Sequence, residues 1–173
     1  MEELVEQTLA TPILEEFREE VATTKRVLER VPAEKLPWKP HVKSMSLGQL
    51  AWHVASIPGG ISRIALQSSF DVSQADFVPP QPSSREEILQ VFEQGHRDAE
   101  AFLQGLTNRQ AVESWRLLNK GAEVFVKPRI SVIRTIMLNH WYHHRGQLSV
   151  YLRLLDVPVP VIYGRSADES PFR

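Results

Sequence analysis

The sequence predicts an all-α protein: a four-helix bundle with a crossover connection, with a small β-hairpin between helices three and four. Three observations carry this. Four segments repeat apolar residues every three or four positions, one stripe each. The connectors at 32–45 and 68–82 are rich in proline and long for hairpin links, which leaves room for a crossover. The most apolar-periodic segment, about Ile130 to Leu155, contains NHWYHHRGQ (139–147), with three of the six histidines of the chain inside five residues.

Taken in order, residues 1–10 read as either helical or frayed. Thr11-Pro12 reads as an N-cap followed by proline in the first turn, with Glu15 and Glu16 near the positive helix end. The first helix then runs to about Val31, burying Ile13, Phe17, Val21, Thr24 and Leu28. Pro32, Pro37 and Pro40 forbid its continuation. Trp38, in that connector, is expected to pack back on the bundle. Ser46-Leu-Gly-Gln49 is a capping box opening helix two, whose apolar face carries Leu47, Leu50, His53, Val54 and Ile57. Pro58-Gly59-Gly60 is expected to kink or end that helix, leaving open whether Ile61 to Leu66 continues it. Ser68 to Pro82 reads as loop.

Ser83-Ser84-Arg85-Glu86 is a second capping box, opening a third helix that carries Ile88, Val91, Phe92, His96, Ala99 and Phe102 or Leu103 and ends near Leu103 or Leu106. Thr107 to Val112 reads as a turn. Short β-branched and aromatic runs flank Asn119-Lys-Gly-Ala, the signature of a hairpin. Pro128 opens the histidine helix, and Asp156, Pro158 and Pro160 end it. Ser166-Ala-Asp-Glu169 is a last capping box, for one short turn.

The totals narrow the function. A chain of 173 residues fits a single domain, 1–173, with no disulfide or metal staple required. A net charge of −1 and no basic stripe with interleaved aromatics argue against nucleic acid. There is no cysteine, hence no disulfide, thiolate ligand or cysteine nucleophile, which suits a reducing cytoplasm. The acidic start MEELVEQTLATPILEEF lacks the basic and apolar regions of a signal peptide, and no apolar run reaches membrane-spanning length. A cytoplasmic protein is expected.

At helical spacing, Ile133, Met137, His140, His144, Leu148 and Tyr151 share one stripe. His140 and His144 therefore face the interior one turn apart, with Cβ atoms about 6 Å from each other. A lone His53 on an apolar face reads as a hydrogen-bonded core residue. Two buried imidazoles one turn apart are costly without partners, and a metal ion satisfies both. His53, on helix two, is the candidate third ligand. His143 points about 100° away and is a surface residue, a supporting group or a spare ligand. His96, between Gly95 and Arg97, reads as solvated or at an interface, and His41 as exposed. Gln147, three residues after His144, could hydrogen-bond a ligand imidazole; Gln147 and Arg145 otherwise read as an ordinary polar edge. Gly146 would permit close approach of another helix. Trp52, Trp141 and Tyr142 read as packing beside the metal helices, with Trp52 or Trp141 alternatively at a pocket mouth.

The phrases SLGQLAWHVASIPGG, HWYHHRGQLSVYLRLLDVPVP and IYGRSADE together resemble the DinB-like family, which includes the YfiT-like proteins. The resemblance extends from about Thr11 onward, and the family's three ligands fall on His53, His140 and His144. It implies a bundle with one crossover, a divalent nickel or zinc ion on three imidazoles plus water, and frequent homodimers. It also implies kinship with enzymes that use a low-molecular-weight thiol as cosubstrate: mycothiol, bacillithiol or glutathione. A metal-dependent enzyme acting on a small-molecule substrate, either a thiol S-transferase or a hydrolase, is the first expectation. The alternative is a non-catalytic stress-related module with a structural metal or a sequestered small ligand. A structural metal calls for a fourth ligand such as His96, His143 or a carboxylate.

Overall fold

The computed structural model describes residues 7–172. The reading of residues 1–6 as helical or frayed lies outside the described residues. Four long helical segments form the bundle: α1 (Thr11–Glu29), α2 (Leu47–Leu66), α3 (Arg85–Gln104) and a C-terminal rod. The rod runs without a break through α5 (Arg129–Val132), a π-helical stretch (Ile133–Asn139) and α6 (His140–Leu154). Helices α1 and α2 each pack against both α3 and α6. The chain thus crosses the bundle between α1 and α2, and again between α3 and the rod: two crossings, where one was expected.

A short α4 (Asn108–Val112), opened by a Thr107–Gln110 capping box, occupies the segment expected to be a turn. The hairpin is present as β2 (Ser114–Asn119) and β3 (Ala122–Pro128). Lys120 and Gly121, at φ 51° and 77°, supply the two left-handed residues its turn demands. The stretch 68–82 is more than loop. Ser69–Asp71 forms a strand, β1, pairing in parallel with β2, so the sheet has three strands in the order β1-β2-β3. Asp71 holds it there, accepting from the N–H groups of Lys120 and Gly121 at 3.0 and 2.7 Å. No period-two pattern announces a three-residue strand, and its partners are 45 or more residues away.

Pro58 does not end α2. Proline removes one N–H and so frees the carbonyl four residues earlier, that of Val54. The indole of Trp141 donates to that carbonyl at 2.9 Å, inside the core. Gly59 then lets α3 approach: a Cβ there would lie 2.7 Å from the Cα of Gly95. The close helix contact therefore occurs at Gly59 and Gly95. Gly146, expected to provide one, is exposed, with nothing near its missing Cβ. The far end of α2 is closed by the buried Arg129, whose guanidinium donates to the carbonyls of Ala65, Gln110 and Gln67.

Three caps differ from expectation. The N-cap of α1 is Ala10, and Thr11 is instead the first helical residue, its hydroxyl accepting from the Thr8 N–H at 2.9 Å. The cap of α3 is Ser84, one residue later than expected, while Glu87 turns back to Ser83. Ser166 caps no helix. Its hydroxyl accepts from the N–H groups of Asp168 and Glu169, whose carboxylates then bind Arg153 and Arg30 and tie the tail to α6 and α1. Ser46 does open α2 with a complete capping box, and Trp38 packs edge-on against Tyr151 at 5.6 Å.

Candidate metal centre

α2 and the rod lie side by side, and the bond that joins Trp141 to Val54 links the immediate neighbours of His140 and His53. Both imidazoles are thereby brought to one level of the bundle. The Nε2 atoms of His53 and His140 face each other at 3.2 Å. His144, one turn on, closes the triangle: ring centroids are 5.0 Å apart for His53–His140, 4.5 Å for His53–His144 and 4.6 Å for His140–His144. One ligand nitrogen from each lies within 4.8 Å of the others, so the group could hold a divalent metal ion. Two imidazole nitrogens at about 2.05 Å from one tetrahedral ion stand roughly 3.3 Å apart. The observed 3.2 Å fits that arrangement.

Nδ1 of His144 donates to Oε1 of Gln147 at 2.7 Å, which leaves Nε2 with its lone pair toward the other two rings. All three rings are half-buried. Burial pushes the His53 pKa down to about 4, helped by the neighbouring His144 and His140. The pKa of His140 is lowered by burial and by His144, against the opposing pull of the Ile136 carbonyl. That of His144 is lowered by burial, against Gln147. The three groups are therefore neutral near pH 7, the protonation state a metal requires.

Among the described residues, no carboxylate or further histidine joins the group. His143 is exposed, with its ring 4.9 Å from that of His144 but outside the cluster. His96 lies on α3 against Phe92 at 5.3 Å, its Nε2 3.4 Å from Glu93; it is half-buried rather than solvated. His41 is exposed and accepts from the Lys43 N–H.

The histidines sit at the edge of the buried stripe, not at its centre. The centre is Met137, Trp141, Arg145, Leu148 and Leu152. Arg145, expected at a polar edge, is 1 % exposed. It pairs with Glu20 of α1, donates to the Thr24 hydroxyl at 3.0 Å, and lies over the rings of Tyr142 and Tyr163 at 5.2 and 5.0 Å. Tyr142 in turn donates to Glu16 at 3.0 Å. The buried Thr24 on α1, one turn from Glu20, was the available sign that a polar partner arrives there.

His53 and His140 also line a cavity of about 460 Å³ bordered by α2, the sheet, the π-helical stretch and residues 72–77. Trp141 is a core residue, whereas Trp52 is half-buried beside a shallower pocket that also borders His53.

A sequence model of the DinB family matches residues 6–171. The chain belongs to the DinB family. It is 28% identical over 159 residues to the uncharacterized protein YrdA of Bacillus subtilis strain 168, covering 90% of this chain and 89% of that protein. Crystal structures of two DinB-like proteins share the fold. One, from Bacillus cereus ATCC 10987, superposes with a TM-score of 0.67 at 23% identity, over 87% of this chain and 95% of its own. The other, YjoA of Bacillus subtilis, gives 0.67 at 18% identity, over 90% and 99%. In this DinB-family chain no described helix is long and apolar enough to cross a membrane.

Proposed function

We propose that this DinB-family protein is a metal-dependent enzyme, a thiol S-transferase or a hydrolase, built on a divalent zinc or nickel ion held by His53, His140 and His144. The observation that supports it is the ligand count: three converging neutral imidazoles, with no fourth protein ligand among the described residues and a cavity alongside. Structural zinc is ordinarily enclosed by four protein ligands, and catalytic zinc keeps one position open. An ion on three neutral ligands retains its full charge and lowers the pKa of a bound water or low-molecular-weight thiol toward neutrality. The chain's own residues do the rest. Gln147 fixes the His144 ring. The Val54–Trp141 bond fixes the spacing of the two helices. The apolar cavity wall lies beside His53 and His140.

Elemental analysis of purified wild type against His140→Ala tests the centre. About one zinc or nickel per chain in wild type, lost in the variant, is expected. Turnover of activated esters by the loaded protein, with and without mycothiol, bacillithiol or glutathione, separates hydrolysis from thiol transfer. Absence of metal from wild type after reloading with both ions would end the enzyme reading.

A further inference from the structure

We propose that the 460 Å³ cavity takes an uncharged apolar body, an alkyl chain or aryl group, whose single polar end is directed at His53 and His140. The direction of the polar end rests on the metal reading above; the preference for a neutral apolar body does not. The walls are Ile57, Ile61 and Ile64 of α2, Phe70 and Leu117 of the sheet, and Ile136 of the π-helical stretch, among others. No lysine or arginine lines the space, and Asp76 is its one carboxylate. Apart from the two histidines, Ser56 and Asp76, no lining side chain offers a free polar group. Stripping water from a charged or hydrogen-bonding group without offering a partner is unfavourable, whereas every methylene transferred to such a wall is favourable. The volume falls in the ordinary range of small-molecule sites, about 300–1,000 Å³. A ligand charged along its length is rejected by the same lining that favours a hydrocarbon.

The test is a chain-length series of 1-butanol, 1-hexanol and 1-octanol, measured on the full-length protein both metal-free and zinc-loaded. Calorimetry and tryptophan fluorescence are the readouts, since Trp115 lines the cavity. Affinity is expected to rise about fourfold per added methylene, the worth of burying one. Gly60→Leu is the second arm. Gly60 lines the cavity, and a Cβ placed on it meets no atom within 4 Å. The leucine replaces a helix-weakening glycine, so the melting temperature should match or exceed wild type. It should also occupy part of the space and weaken 1-octanol binding at least about tenfold. Affinity independent of chain length, or a folded Gly60→Leu protein that binds 1-octanol as wild type does, overturns the proposal. Because the series is read in metal-free protein, its failure leaves the metal stoichiometry untouched, and a protein without metal leaves the series untouched.

Discussion

Trp141→Phe, made alone and in a Pro58→Ala background, probes how α2 and the rod are held together. In wild type the Val54 carbonyl has no N–H from residue 58 and is met by the Trp141 indole at 2.9 Å. Trp141→Phe keeps an aromatic ring and deletes that donor. The carbonyl is then left buried and unpaired, at a cost of about 1–3 kcal/mol. In the Pro58→Ala background the new N–H of residue 58 reaches the same carbonyl as an ordinary i→i−4 bond, so deletion of the indole leaves nothing orphaned. The smaller ring leaves the same space in both backgrounds, and that contribution cancels in the cycle. A coupling of at least about 1 kcal/mol is expected in denaturant titrations, with Trp141→Phe milder when Pro58 is absent. For a chain of this length that is about 2–4 °C in the difference between melting shifts. Additivity within about 0.5 kcal/mol would refute the view that the indole substitutes for a helical hydrogen bond.

Gln147→Leu removes the acceptor that orients the His144 ring and is expected to weaken metal binding about 10–100-fold in chelator competition, with a melt near that of wild type; unchanged affinity would show that the ring is fixed by packing alone. Arg145→Met leaves Glu20 facing the core unpaired and is expected to destabilise by about 3–5 kcal/mol, most of it recovered in Arg145→Met/Glu20→Met; a loss below 1 kcal/mol would place the pair in solvent. In metal-free protein, His53 titrates near pH 4 when folded and near its ordinary 6.5 when unfolded, so below pH 6.5 the unfolded chain takes up the proton first. Stability is therefore expected to be level above about pH 7 and to fall as pH drops from 6.5 toward 5, before the carboxylates titrate; equal denaturation midpoints at pH 7.5 and 5 would contradict this.

The parts of the fold legible in the sequence were those set by local chemistry. The Ser46 capping box, the Asn119–Ala122 turn and the pairing of His140 with His144 follow from residues within four positions of one another, as does the Gln147 contact. What was not legible depends on partners distant in the chain. Pro58 would end an isolated helix; α2 continues because a tryptophan 83 positions later replaces the missing donor. The strand Ser69–Asp71 exists because a completed hairpin offers it an edge. Arg145 looked like a polar edge because burial of a guanidinium is decided by carboxylates, hydroxyls and aromatic rings elsewhere in the chain. The π-helical stretch leaves no mark in a spacing of three and four, yet it sets the ring of His140 beside the Ile136 carbonyl.

Metal-free protein should keep its fold, and this bears on whether the ion is structural. The residues next to two of the three histidines are already joined by a hydrogen bond between proteinaceous groups, Val54 and Trp141. The core beneath them, with Phe17, Phe92 and Trp141 in ring contact, involves no ligand atom. An ion entering such a site meets imidazoles already neutral and already converging, so its binding free energy is not consumed in ordering the chain. It should then stabilise by mass action alone, by about 2.7 kcal/mol at a free concentration one hundredfold above Kd. That corresponds to a rise of roughly 5–11 °C in melting temperature over a metal-free protein that already melts cooperatively. A structural zinc behaves differently: its removal unfolds the domain outright. Loss of helical circular dichroism on chelation at 25 °C would therefore overturn the open-site reading, and a cooperative metal-free melt would leave the ion free to act on a ligand in the adjoining cavity.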